Sequence, residues 1–176
     1  MYKTILFDFD GTVFDTGEGI MKSVQYAAES FGFSEPDYRA LRSFVGPPLR
    51  ESFMRRYGVD TVTAEAMTAK YRERYSKEGL TECSVYTGVP ELVQKLRASG
   101  RKAVVATGKP TKFTVDILEQ HGLSSLFDDV LGSEFDGTRS QKWEVIAELL
   151  DRFGGRDAVM VGDRDNDVLG AKKCGI

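Results

Sequence analysis

Residues 3–16, KTILFDFDGTVFDT, place two carboxylates, Asp8 and Asp10, one residue apart at the end of a short apolar run. Successive side chains of a strand point to opposite faces, so residues two apart share one, and the two aspartates project to the same side as the chain leaves its sheet. Two anions this close repel one another unless a cation or a proton lies between them, and an apolar strand has no structural use for the pair. A divalent metal accounts for them. An Asp-Gly turn closing the strand explains Asp10-Gly11 but leaves Asp8 without a role. Further along, the run KAVVAT (102–107) ends in Thr107 followed by Gly108, and the run DAVMVG (157–162) leads into Asp163 with Asp167 four residues on. Lys142 stands between them at the head of a helical stretch. The resulting inventory is four carboxylates, one hydroxyl, one ammonium and the backbone amides of Gly11 and Gly108. It suits metal and phosphate: Mg2+ takes a few carboxylates plus waters and phosphate oxygens, while hydroxyl, ammonium and amides hold the remaining oxygens.

The elements that must position these groups follow from hydrophobic periodicity. Ile20, Val24, Ala28 and Phe31 recur at helical spacing and stop at Gly32. Pro36 opens a second short helix carrying Tyr38, Leu41 and Val45, and Gly46-Pro47-Pro48 breaks it. Leu49, Phe53 and Tyr57 line one face of a third as far as Gly58, and Met67, Tyr71 and Tyr75 stripe a fourth. No strand pattern occurs between residues 17 and 80, so residues 17–81 are expected to form an all-helical inserted cap domain. The pattern then alternates. After an irregular stretch at 81–88 come a helix from Pro90 to Gly100, a strand over 102–107 and a helix over 110–120 closed by Gly122. A brief strand over 129–131, a helix over 142–153, a strand over 157–162 and a helix from Asp167 complete the chain. Such βα units imply parallel strands and right-handed crossovers. The predicted fold is therefore α/β, a doubly wound parallel sheet formed by residues 1–16 and 82–176, with ligands bound beyond the carboxyl ends of its strands near the topological switch point.

A chain of 176 residues accommodates one medium domain or a core with a small accessory domain. The net charge of −3 provides no global basic field, which argues against a nucleic acid polymer or an anionic membrane as partner. An anionic substrate must then be held locally. No apolar stretch approaches bilayer-spanning length, and the N-terminus enters strand-like sequence without a signal-peptide pattern, so a cytoplasmic location is expected. Cys83 and Cys174 are too few and too isolated for a disulfide framework or a CxxC metal site.

Four motifs in order resemble those of the haloacid dehalogenase-like (HAD) hydrolase superfamily: DFDGT at 8–12, the hydroxyl residue Thr107, Lys142, and GDRDND at 162–167. The similarity spans nearly the whole chain. The helical insertion after the first motif resembles the superfamily's first cap type, and FVGPPLRESF and SEFDGTRSQK resemble its phosphoglycolate phosphatase-like or 5'-nucleotidase-like branch. The resemblance implies a HAD-like Rossmannoid core and a Mg2+-dependent phosphatase acting on a small phosphomonoester through an aspartyl-phosphate. Asp8 would be the nucleophile and Asp10 the acid/base, chemistry two neighbouring carboxylates can divide between them. The metal set would be Asp8, the backbone carbonyl of Asp10, Asp163 and Asp167. Thr107 and Lys142 would grip the phosphoryl oxygens, with Gly11, Thr12 and Gly108 in the substrate-binding set. Gly108 stands where relatives carry Asn or Ser, which removes a side-chain partner from the phosphate. The chain stops at Ile176, where relatives continue with another strand, so the 157–162 strand is expected at a sheet edge.

Rival readings are weaker. From Asp163 the sequence resembles a calcium loop, but Val168 and Cys174 occupy the positions that require Gly and Glu. Gly108-Lys109-Pro110 is not a P-loop, because Ala103 replaces the first Gly and Pro110 the Ser/Thr. His121, the single histidine, stands beside Gly122 as a helix-end residue. A sugar-phosphate mutase would use the same aspartyl-phosphate, whereas a phosphorylatable receiver or a non-catalytic binding module has no use for Asp10. In the cap, the rigid turn Gly46-Pro47-Pro48 followed by Arg50 is a candidate anion-facing loop, as well as a plain helix break with a surface arginine. Residues 15–19 and 81–88 are candidate hinges. The expected partner is a small-molecule phosphate ester, and the protein a monomer or homodimer.

Overall fold

The computed structural model describes residues 2–176. The chain packs as two compact units, one comprising residues through Asp15 together with Val85–Ile176, the other Thr16–Ser84.

In the first unit, β1 (Thr4–Phe7) leads to the short β2 (Phe14–Asp15). After the helical unit the chain continues through β3 (Ser84–Val85), a helix (Val89–Ala98), β4 (Lys102–Pro110) and a second helix (Thr111–Gln120). It closes with β5 (Asp129–Ser133), a helix (Lys142–Arg152), β6 (Ala158–Val161) and a last helix (Asp165–Cys174). The main sheet has the order β5-β4-β1-β6. Every pairing in it is parallel, and β1 is matched in register on both sides, with Phe7 opposite Val105 and Val161. The chain moves outward from β1 through β4 to β5 and then returns to the other side of β1, so the direction of winding reverses between β1 and β6. That reversal opens the crevice in which the chemistry collects.

Alternation along the strands sorts the core. Leu6, Val104, Ala106 and Leu131 face Val145, Ile146, Leu149 and Leu150 of the Lys142–Arg152 helix, with Cys174 and Ile176 packed against the same cluster. The opposite face carries buried Ile5, Phe7 and Val105, the Phe7 ring meeting Phe127 edge-on. β6 lies at the sheet edge, its last residue Val161 exposed. Among the described residues no helix is long and apolar enough to cross a membrane.

The strand predicted over 102–107 runs on to Pro110. The ladder shifts register between Ala106 and Pro110, after which Pro110 pairs with Ser133. A proline is compatible with a strand at such an irregularity, where its missing N–H breaks no ladder bond. The stretch 81–88, expected to be irregular, contains the two-residue β3, and Tyr86 donates to the Val13 carbonyl at 3.0 Å.

We label the helices in chain order: in the second unit α1 (Gly17–Ser30), α2 (Leu49–Tyr57) and α3 (Thr61–Arg74), and in the first unit α4 to α7 for the four above. The second unit holds no strand interior to it. Its Tyr38–Phe44 segment is a 3-10 helix, started by the Asp37 carboxylate accepting from the Arg39 amide at 3.1 Å. After α3 the helix widens to a π turn (Tyr75–Gly79), in which Leu80 donates to Tyr75 O five residues back. Val24, Leu41, Phe44, Phe53, Met67 and Tyr75 form its buried interior, with Phe44 against Phe53 and Tyr71 stacked on Tyr75.

Candidate active site

The Asp8 amide makes the last rung of β1, donating to Val161 O at 2.8 Å. The chain then turns sharply. Phe9 O accepts from the amides of Thr12, Val13 and Phe14, and Gly11, at φ +90°, donates to Phe14 O at 2.8 Å. Phe9 and Phe14 stack inside the turn, ring centroids 4.9 Å apart, which anchors it to the core. The Gly11 amide, expected to be available to an anion, is thus committed to closing the turn.

Carboxylate oxygens of Asp8, Asp163 and Asp167 all lie within 4.8 Å of one another. Asp8 comes from the end of β1, Asp163 from the exit of β6 and Asp167 from the first turn of α7, so the cluster straddles the winding reversal. Lys142, the first residue of α6, enters the cluster from the side. Its Nζ lies 2.5 Å from Asp8 Oδ1, 2.8 Å from Asp167 Oδ1 and 3.0 Å from Ala106 O. The start of α6 is fixed by the Gln141 amide donating to the Glu144 carboxylate at 2.9 Å. The preceding loop is clamped by Arg139, which adopts φ +56°, donates to Gly132 O at 2.9 Å and pairs with Glu134 and Glu148.

Two glycines keep the cluster tight. A Cβ on Gly11 would come 2.6 Å from Asp163 Oδ2, and one on Gly162 would come 2.1 Å from Asp167 Oδ2. Asp167 is 2% exposed, and its Oδ2 accepts from the Arg164 amide at 3.1 Å. Its Oδ1 has the Lys142 ion pair but no hydrogen bond of good geometry. Asp163 is partly open, with Arg164 Nε 3.3 Å away. Burial pushes the Asp8 carboxyl up to about 6, Lys142 opposing that rise and Asp167 adding to it. For Lys142, burial pulls the ammonium down, but Asp8 and Asp167 outweigh it and the net shift is upward.

An all-oxygen donor set, with Asp8 and Asp167 buried, Asp163 open to solvent and one carboxylate oxygen lacking a hydrogen bond, fits a hard divalent cation such as Mg2+. Asp8, Asp163 and Asp167 are the side chains that would hold it.

The remaining predicted residues fall around this cluster or in the other unit. Thr107 is buried and its Oγ1 accepts from the Lys109 amide at 3.2 Å. Gly108 is exposed, its carbonyl held by Ser133 Oγ at 2.8 Å. Thr12 Oγ1 is buried without a hydrogen-bond partner. The Asp10 side chain is not among the three clustered carboxylates; it pairs instead with Lys109, whose Nζ lies 2.9 Å from Oδ1 and 3.3 Å from Oδ2. Sequence reasoning passed over Lys109 because Gly108 and Pro110 read as the end of the strand. Continuing the extended chain would have found it, since residues two apart share a face and Thr107 was already placed. Arg50 belongs to the helical unit, in the first turn of α2, exposed and 3.4 Å from Glu65. His121 caps α5, its Nδ1 2.9 Å from Ile117 O and its ring edge-on to Phe14, a helix-end role.

The chain is similar to known proteins along its length. Residues 5–176 match the haloacid dehalogenase-like hydrolase family. A 5'-nucleotidase of Pseudomonas aeruginosa is 44% identical over 99% of this chain and 80% of its own length. The tyrosine-protein kinase PtkA of Mycobacterium tuberculosis is 35% identical over 99% of this chain, which spans 60% of that protein. Among solved structures, a predicted phosphatase from Clostridium acetobutylicum superposes with a TM-score of 0.96 at 42% identity, covering 100% of this chain and 82% of the other. With its matched motifs on the strand ends of a parallel sheet, the chain belongs to the haloacid dehalogenase-like hydrolase family and is an enzyme of the phosphatase kind.

Proposed function

We propose that this chain is a Mg2+-dependent phosphomonoesterase that works through an aspartyl-phosphate on Asp8. The observation that carries the reading is the convergence of Asp8, Asp163 and Asp167 oxygens within 4.8 Å of one another, with the Lys142 ammonium against Asp8 and Asp167. Bound Mg2+ would offset the repulsion between the Asp8 carboxylate and an anionic phosphate and stabilise the charge on the transferring group. Lys142 holds Asp8 in one orientation, so the nucleophilic oxygen needs no search before attack. Asp8 Oδ bonds to phosphorus as the ester P–O bond breaks, and Asp10 passes its proton to the departing oxygen. Asp10 then takes a proton from water as that water attacks phosphorus and the bond to Asp8 breaks. Thr107 Oγ1 and the Gly108 amide are the groups proposed to hold the phosphoryl oxygens. The helical unit is proposed as the cap domain, with Arg50 its candidate anion contact.

The 5'-nucleotidase relative puts nucleoside 5'-monophosphates first among candidate substrates. Phosphoglycolate, pyrophosphate and sugar phosphates follow. Phosphate release should be measured across these esters and an aryl phosphate, with and without Mg2+. The expected result is release that requires Mg2+. Equal release in the presence of a chelator would reject the metal assignment, and isomerised sugar phosphate without free phosphate would indicate a mutase.

Gly162→Ala tests the cluster without touching a charge. The new methyl must displace the Asp167 carboxylate, 2.1 Å from where the Cβ would sit. Mg2+-dependent turnover is expected to fall roughly 10- to 100-fold, as a misplacement of about 1 Å does in an organised site. Circular dichroism should remain that of the parent, and wild-type turnover would show that Asp167 need not hold its place.

A further inference from the structure

The two catalytic carboxylates of the first motif are each held by a lysine of their own, and the second of these lysines lies outside the motifs. Lys109 Nζ reaches both Asp10 oxygens, at 2.9 and 3.3 Å, across a separation of 99 residues. Both side chains are buried, 4% and 9% exposed. A surface ion pair of two mobile side chains contributes little, whereas a buried pair leaves an uncompensated charge when either partner is lost. The origin of the lysine arm is fixed as well. The Lys109 amide donates to Thr107 Oγ1 at 3.2 Å, and Ser133 Oγ on β5 binds the Gly108 carbonyl at 2.8 Å. Gly132 has no side chain where one is excluded, since its Cβ would stand 2.1 Å from Lys109 O. The irregular end of β4 is therefore strapped to β5 at the position that aims Lys109 at Asp10.

From this geometry we infer that Lys109 is a positioning residue for the acid/base step, fixing the Asp10 carboxyl in the orientation from which it exchanges a proton with the leaving oxygen and with water. The inference rests on the reading of Asp10 as acid/base. Lys142, at the head of α6, holds Asp8 in the same manner, so the two halves of the reaction have separate clamps.

The test is a double-mutant cycle in the Mg2+-loaded protein with Lys109→Met, Asp10→Asn and the combination, using aryl phosphates with good and poor leaving groups. Lys109→Met is expected to lower kcat about 10- to 100-fold, part of the 10²–10⁴ that a positioned acid/base supplies, while KM changes by less than about threefold. The loss should be larger for the poor leaving groups, which need the proton most. In the Asp10→Asn background, Lys109→Met should cost less than about threefold more, because the residue it positions is already gone. Lys109→Arg should recover part of kcat. An equal loss in both backgrounds, or a loss indifferent to the leaving group, would overturn the inference. A near-normal kcat for Asp10→Asn alone would instead overturn the assignment of Asp10. If Lys109→Met does not fold, the leaving-group dependence of Lys109→Arg decides the same question.

Discussion

Asp8→Asn is expected to lower kcat for phosphate release on the order of 10⁵-fold, the scale seen when a covalent nucleophile is removed from an otherwise intact site. The amide matches the carboxylate in size, so the loss reports on chemistry. Lys142 would keep its ion pair with Asp167 at 2.8 Å and its hydrogen bond to Ala106 O at 3.0 Å. Burial works against the charge on Asp8, so the neutral amide is also relieved of a desolvation cost that the carboxylate carries. A folded but inactive protein is the predicted outcome, read by single-turnover phosphate release beside a thermal melt. Retained hydrolysis of an aryl phosphate would remove Asp8 from the nucleophile's role.

Lys142→Met should have the largest effect on stability. It leaves the buried Asp8 and Asp167 carboxylates facing each other without the cation between them, and breaking a buried pair in this way typically costs about 3–5 kcal/mol. The pH dependence has a definite sign. The Asp8 carboxyl is pushed up to about 6 in the folded chain against an ordinary 3.8. Between those values the folded chain keeps a proton that the unfolded chain has released, so metal-free stability falls as pH rises through that window. Without Lys142, the first influence opposing that rise is gone and the fall continues to higher pH. The deficit of Lys142→Met relative to the parent should therefore be smaller at pH 5 than at pH 8. At pH 8, Mg2+ should reduce it, because a divalent cation replaces the positive charge lost from between Asp8 and Asp167 and so stabilises the variant more than the parent, which keeps its lysine. Urea melts at both pH values, with and without Mg2+, measure this. An identical deficit under all four conditions would mean that the lysine's charge does not compensate the carboxylates.

Much of the fold was legible because the local signals agreed. Apolar runs of strand length at 102–107 and 157–162 alternate with helical stripes such as Ile146, Leu149 and Phe153, and that alternation permits little besides a parallel sheet. Legibility failed where one residue type has two uses. Gly108 and Pro110 end most strands, yet here they occupy a register shift, and Lys109 was hidden with them. Gly11 was counted as an open amide donor, but its φ of +90° belongs to a turn that needs that donor internally. The widening at Tyr75–Gly79 left no trace in the apolar stripe, since the register of a π turn depends on what packs against it.

Residue order alone settled which groups reach strand ends, because side-chain alternation and helix periodicity are properties of a few consecutive residues. It could not settle which groups meet. Asp8 and Lys142 are 134 residues apart, and Asp10 and Lys109 are 99 apart. The first pair joins the end of β1 to the head of α6, and the second joins it to the end of β4, the strand beside β1 in the sheet. Local preference cannot encode a distance across a sheet. Packing decided that Asp163 and Asp167 join Asp8 while the Asp10 side chain turns to Lys109, and with it how the charges of the site are divided.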